Sequence, residues 1–122
     1  MTVAALIVAA GQGVRMGLTQ RKQFLILSGR PILSHTIERF GACAEVDHIM
    51  VTVPEDEIDY CRQRIVSNLG ITKEVRLVPG GERRQDSVRN GLEALGDDPE
   101  VVLIHDGVRP LVRPELITAC IH

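Results

Sequence analysis

Three stretches of this chain combine residue types that could handle a phosphorylated ligand. The first reads Ala9-Ala10-Gly11-Gln12-Gly13-Val14-Arg15-Met16-Gly17 and continues to Arg21-Lys22. The second is Gly80-Gly81-Glu82-Arg83-Arg84-Gln85-Asp86-Ser87, and the third is His105-Asp106-Gly107-Val108-Arg109-Pro110. Glycines and other small residues let backbone N–H groups approach phosphate oxygens closely. Arg15 and Lys22 could supply the positive charge that a glycine loop lacks. The first stretch matches neither common glycine motif. A dinucleotide fingerprint needs glycine where Met16 stands, and a P-loop needs Gly-Lys-Ser/Thr after four intervening residues. A plain strand-to-helix turn with solvated cations accounts for the same residues. Asp106 also admits two roles. Its carboxylate could hold a magnesium ion that bridges phosphates, since Mg²⁺ favours oxygen ligands, or it could cap its own turn. His105 is expected to pack or hydrogen-bond locally.

The elements needed to position these stretches are legible in the apolar pattern. Val3 to Ala10 is a continuous apolar run without two-residue alternation, as expected for a strand covered on both faces. Ile32, Leu33, Thr36, Ile37 and Phe40 recur at helical spacing after Pro31, which suits a first helical position. Ile49 to Val53 forms a second strand, stopped by Pro54. A helix then runs from Glu55 to about Asn68, with acidic residues in its first turn and Gly70 as its exit. Glu74 to Val78 is a third strand. Asp86 or Ser87 caps the next helix, whose inner face is Val88, Leu92 and Leu95. Val101 to Ile104 is a fourth buried strand, and Pro114 opens a last helix through Leu116, Ile117, Cys120 and Ile121. Strands alternating with helices in this way imply a three-layer α/β fold. No repeat, low-complexity segment or linker interrupts it.

In an open parallel sheet, ligands bind outside the carboxyl ends of the strands, and all three polar stretches follow strands. Together they hold Arg15, Arg21, Lys22, Arg83, Arg84 and Arg109, six of the 14 basic residues. Cations gathered on one edge of a chain whose net charge is only −2 point to an anionic ligand. The same balance argues against a dedicated nucleic-acid binder, and 2% aromatic residues leave little for stacking single-stranded bases. With 44% hydrophobic residues in a 122-residue chain, one real core is affordable and disorder is excluded. Cys43, Cys61 and Cys120 form no Cys-x-x-Cys pair, so neither a disulfide scaffold nor a zinc site is indicated. They read as small buried residues of a reduced, cytoplasmic protein. The apolar opening has no Lys or Arg ahead of it, unlike a signal peptide, and no stretch reaches the ~18 apolar residues needed to span a bilayer.

In series, Val8 to Gly17, Lys22-Gln23-Phe24-Leu25, Gly80 to Val88 and His105 to Pro110 resemble the 2-C-methyl-D-erythritol 4-phosphate cytidylyltransferases. The resemblance covers the whole chain, in order and at family spacing. It implies a Rossmann-like nucleotidyltransferase sheet, mostly parallel, of which residues 1–122 are the N-terminal nucleotide-binding part. It also implies transfer of a cytidylyl group from CTP to methylerythritol phosphate, with Mg²⁺ as cofactor and a homodimer at full length. By family match Arg15 and Lys22 are catalytic. Ala9, Ala10, Gly11, Gly13, Gly81, Glu82, Ser87 and Asp106 bind nucleotide, Asp106 serves the metal, and Arg109 faces the second substrate's phosphate. Neither nucleic acid nor membrane is an expected partner.

Three departures stand out. Arg21 occupies a position where the family often has proline, and Gly107-Val108 replaces a common Ala-Ala, a tolerable exchange of small or apolar residues. Family members are also considerably longer. The truncation predicts that residues 1–122 alone are inactive and that the last helix leaves its apolar face uncovered. Ribitol 5-phosphate cytidylyltransferase is an alternative sharing several motifs, although the Val-Ala-Ala-Gly opening is closer to the methylerythritol branch. A CTP-binding fragment without catalysis is the alternative from another class.

Overall fold

The computed structural model describes residues 2–10, 22–24, 26–97, 99–107 and 117. Four strands form one parallel sheet: β1 (Val3–Val8), β4 (His48–Val53), β5 (Val75–Pro79) and β6 (Val101–Asp106). Their spatial order is β5-β4-β1-β6. The register sets Ala5 beside Ile49 and Leu103, and Ile7 beside Val51 and His105. Because side chains alternate between faces along a strand, these residues share one face, and Leu6, Met50 and Ile104 share the other.

On the first face lie α1 (Ile32–Gly41) and α2 (Ile58–Arg64). Leu33, Ile37, Phe40, Cys61 and Ile65 pack there with Ala5, Ile7, Ile49, Val51 and Val53 in one buried core. On the second face α3 (Arg84–Leu95) crosses the sheet, with Gly91 against Leu6. The three-layer α/β architecture expected from the pattern is therefore present. Among the described residues no helix is long and apolar enough to cross a membrane.

Several local expectations need correction. A two-stranded antiparallel hairpin, β2 (Ile26–Leu27) with β3 (Arg30–Pro31), lies just ahead of α1, where the apolar pattern predicts no element. It reverses at Ser28 and Gly29, both with positive φ. Two-residue strands carry too little periodicity to be recognised. The segment read as one helix over residues 55–68 is a short α2 between two 3₁₀ turns, Glu55–Glu57 and Val66–Asn68. The break falls at Ile65, whose φ of −112° departs from the regular helical value of about −63°. Helix α3 starts at Arg84, ahead of Asp86 and Ser87, and its fully buried residues are Ser87 and Gly91. Leu92 is 40% exposed, so the inner face is shifted by one position from the one the apolar pattern indicated.

Strand β6 is only half-buried and includes His105 and Asp106. Among the described residues it pairs with β1 alone, and Ile104 on its α3-side face is 44% exposed. Of the last helix's apolar face, only Ile117 is among the described residues, and it is buried in the chain's own core rather than uncovered. Pro114, Leu116, Cys120 and Ile121 lie outside the described residues. Cys43 and Cys61 are buried, as expected.

Candidate functional site

All four strands run parallel, so their carboxyl ends gather on one edge. Gly107 N–H donates to the Val8 carbonyl and Ala9 N–H to the Thr52 carbonyl, both at 2.8 Å. Gly80 N–H donates to the Val53 carbonyl at the same distance. These bonds carry the parallel ladder one residue past the ends of β1, β5 and β6 and fix where each loop departs. Gly80 fits only without a side chain, since a Cβ there would stand 2.1 Å from the Ala10 Cβ and 2.7 Å from Ser87 Oγ. The turn after β5 can thus close against the end of β1.

A cleft of about 180 Å³ opens at this edge. Ala10, Gly81, Glu82, Ser87 and Asp106 line it, together with Val8, Arg83 and Arg84. Five expected site residues from three separate loops therefore share one cavity. Ala9 lies just beneath. It is buried, and its carbonyl accepts a 2.7 Å bond from the buried Gln23 side-chain amide. Lys22 begins a single 3₁₀ turn, Lys22–Phe24. The side chain of Lys22, and Gly11, Gly13, Arg15, Arg21 and Arg109 entirely, lie outside the described residues.

The wall formed by the second loop is held by its own polar groups. Ser87, nearly fully buried, accepts the Gly81 N–H at 3.1 Å through its hydroxyl. The side chain thought to cap α3 thus braces the glycine turn instead. Asp86 takes the capping role from the third helical position, accepting the Arg83 backbone N–H at 3.3 Å. Its carboxylate also receives the Arg83 guanidinium at 3.0 and 3.2 Å and Arg89 at 2.7 Å. The Arg83 hydrogen bond holds the Asp86 carboxyl below its usual range and raises the guanidinium in turn. Arg83 is exposed and Asp86 is partly covered, so the pairing stays in reach of solvent, orients Arg83 and adds little stability. Arg84, also at the cleft, has no ion-pair partner among the described residues.

On the far side of β6, the His105 ring packs tilted against Phe40 with centroids 5.1 Å apart, the local packing role expected of it. Asp106 points to the opposite face and into the cleft. Among the described residues no group of three His, Cys, Asp or Glu could enclose a metal by itself. One carboxylate at a cleft still fits Mg²⁺, which is usually held by one or two carboxylates with substrate phosphates completing its shell.

Gln23, which holds the Ala9 carbonyl, is absent from the expected site residues, although it adjoins Lys22 in the Lys-Gln-Phe motif, a usable signal.

The family model for 2-C-methyl-D-erythritol 4-phosphate cytidylyltransferase (IspD) matches residues 3–122. An enzyme of that name from Geotalea uraniireducens is 52% identical over 114 residues, covering 92% of this chain and 49% of the relative. One from Clostridium botulinum Eklund 17B is 52% identical over 116 residues, covering 94% and 50%. The crystal structure of 4-diphosphocytidyl-2C-methyl-D-erythritol synthase from Anaerococcus prevotii superposes with a TM-score of 0.81 at 32% identity. That match covers 98% of this chain and 49% of that one. The chain spans about half the length of the curated relatives it matches. Matched from residue 3 to residue 122 and folded like a solved member, the chain belongs to the 2-C-methyl-D-erythritol 4-phosphate cytidylyltransferase family.

Proposed function

We propose that this chain carries the nucleotide-binding half of an enzyme that transfers a cytidylyl group from CTP to 2-C-methyl-D-erythritol 4-phosphate. The reaction releases pyrophosphate and belongs to non-mevalonate isoprenoid precursor synthesis. The supporting observation is the meeting of Ala10, Gly81, Ser87 and Asp106 in one cleft at the carboxyl edge of the sheet, in a chain of this family.

A phosphate oxygen of the acceptor attacks the α-phosphorus of CTP in line, forming a new P–O bond. The bond from that phosphorus to the bridging oxygen breaks, and pyrophosphate leaves with the electron pair. A phosphate monoester is already an anionic nucleophile, so no general base is required. Negative charge grows on the α-phosphoryl oxygens, and fixed cations there stabilise the transition state more than the ground state. Arg15 and Lys22 are assigned that task. Ala9, Ala10, Gly11 and Gly13 cradle the nucleotide, while Gly81, Glu82 and Ser87 face the base and ribose. Arg109 meets the acceptor's phosphate. Asp106 would hold Mg²⁺, which when bound draws the phosphate oxygens together and offsets their charge. The working protein is taken to be a cytoplasmic homodimer.

Pyrophosphate release by the full-length protein tests this reading, with CTP or UTP offered alongside methylerythritol phosphate or ribitol 5-phosphate. CTP with methylerythritol phosphate is the expected productive pair. Equal turnover with UTP contradicts the cytosine pocket, and preference for ribitol 5-phosphate contradicts the acceptor.

A further inference from the structure

We infer that Thr36 is a positioning residue for Asp106, acting through the peptide carbonyl of Gly107. This rests on the reading of the cleft as a site for CTP and a divalent cation. Strand β6 ends at Asp106, and the next residue, Gly107, carries the backbone away from the sheet. Both polar groups of Gly107 are fixed. Its N–H donates to the Val8 carbonyl at 2.8 Å, and its carbonyl accepts the Thr36 hydroxyl at 2.8 Å. The second bond is buried and joins residues 71 apart in sequence.

Thr36 is fully buried on α1, beneath the face of the sheet opposite the cleft. Its hydroxyl also lies 3.4 Å from the Ile32 carbonyl one turn back. A hydroxyl has one proton to donate, and the shorter contact to Gly107 is the better bond. Leu33, Ile37 and Phe40 fill the hydrophobic core from α1, and Ser34 is the helix's other buried hydroxyl. Valine would fill the same volume, so packing alone gives no reason for a hydroxyl here. The reason lies in the acceptor: without Thr36 the Gly107 carbonyl would be buried with an unmet hydrogen bond, and the turn would shift to relieve it. Asp106 is the residue immediately before that turn and projects into the cleft. A helix on one face of the sheet thus sets the aim of a carboxylate on the other.

Partners behind a ligating carboxylate commonly change metal affinity by about 10- to 100-fold, a measurement that needs no turnover. Mn²⁺ is titrated into the full-length protein with CTP present, and free Mn²⁺ is read by electron paramagnetic resonance. The outcome expected for Thr36→Val is Mn²⁺ binding about tenfold weaker, with Thr36→Ser within about threefold of the parent. CTP affinity without divalent metal should stay equal in all three proteins, which a general loss of folded structure would not allow. If Thr36→Val does not fold, Thr36→Ala makes the same comparison. Parental Mn²⁺ binding in the valine or alanine variant overturns the inference alone, as does a serine variant as weak as valine. A parent protein whose Mn²⁺ binding is not tightened by CTP removes the metal reading, and the inference with it.

Discussion

Arg15 and Lys22 are the residues on which the proposed chemistry leans most. Each is assigned to charge that appears only as the α-phosphorus is attacked. Replacing either with alanine in the full-length enzyme should lower kcat roughly a hundredfold, the equivalent of about 3 kcal/mol, with much less effect on CTP binding. Steady-state kinetics at varied CTP decides this, and a change confined to KM would move the residue to ground-state binding. Cys61 offers a different test at the same scale. Burial, with a smaller contribution from Glu57, pushes its thiol up to about 12 from an ordinary 9.0. The unfolded chain therefore gives up this proton first, and stability must fall as pH rises from about 9 towards 12. The slope from this group is at most about 1.4 kcal/mol per pH unit. Urea unfolding at pH 8, 9 and 10 should show the decline in the parent and a shallower one in Cys61→Ala. Equal slopes would mean that the thiol is not held neutral.

Helix α3 shows how an element can mislead when only its apolar residues are counted. Val88, Leu92 and Leu95 mark a stripe, yet the helix sits down on Ser87 and Gly91. A Cβ at Gly91 would come within 2.4 Å of Leu6 Cδ1, so the small residue sets the distance between helix and sheet. Gly91→Ala should therefore destabilise by about 1–3 kcal/mol in urea unfolding, although alanine is the better helix former by about 1 kcal/mol. A stabilised variant would mean that the helix has room to lift. The long strands were legible because β1 and β4 are buried on both faces and write continuous apolar runs. The β2–β3 hairpin was not, having two residues per strand and an Ile-Leu pair that faces outward. The cleft was legible because three loops with glycines and charges follow apolar strands at the edge where an open parallel sheet binds ligands, although each loop alone reads equally as a plain turn. Its supports were hidden: Thr36 looks like a core residue, and the bond from Ser87 to Gly81 depends on the turn geometry between them. The Asp86 cap was misjudged by three positions, since an aspartate can serve a helix start from the third position as well as the first.

At the scale of the molecule, one parallel sheet brings the carboxyl ends of its strands to a single edge, where the N–H groups of Ala9, Gly80 and Gly107 bond to neighbouring strands. The opposite edge is tied separately. Val3 N–H donates to the Asp47 carboxylate and Asp47 N–H to the Val3 carbonyl, both at 2.8 Å, while Glu100 N–H donates to the Thr2 carbonyl. A chain of these 122 residues should fold as a sheet yet release pyrophosphate far more slowly than the full-length enzyme. Well-held reactants gain roughly 7–11 kcal/mol from orientation, and this chain spans half of its relatives' length. Pyrophosphate release by the two lengths compares them, and turnover by the short chain within tenfold of the long one would refute this. The central claim is that CTP binds at the carboxyl edge, and a backbone amide NMR titration of this chain with CTP tests it most directly. Resonances of Ala9, Ala10, Gly81, Glu82, Ser87, Asp106 and Gly107 should shift together with one dissociation constant, and those of Val3, Asp47 and Glu100 should stay in place. Saturable shifts centred on Val3, Asp47 and Glu100, with the glycine turn and Asp106 unmoved, would contradict it.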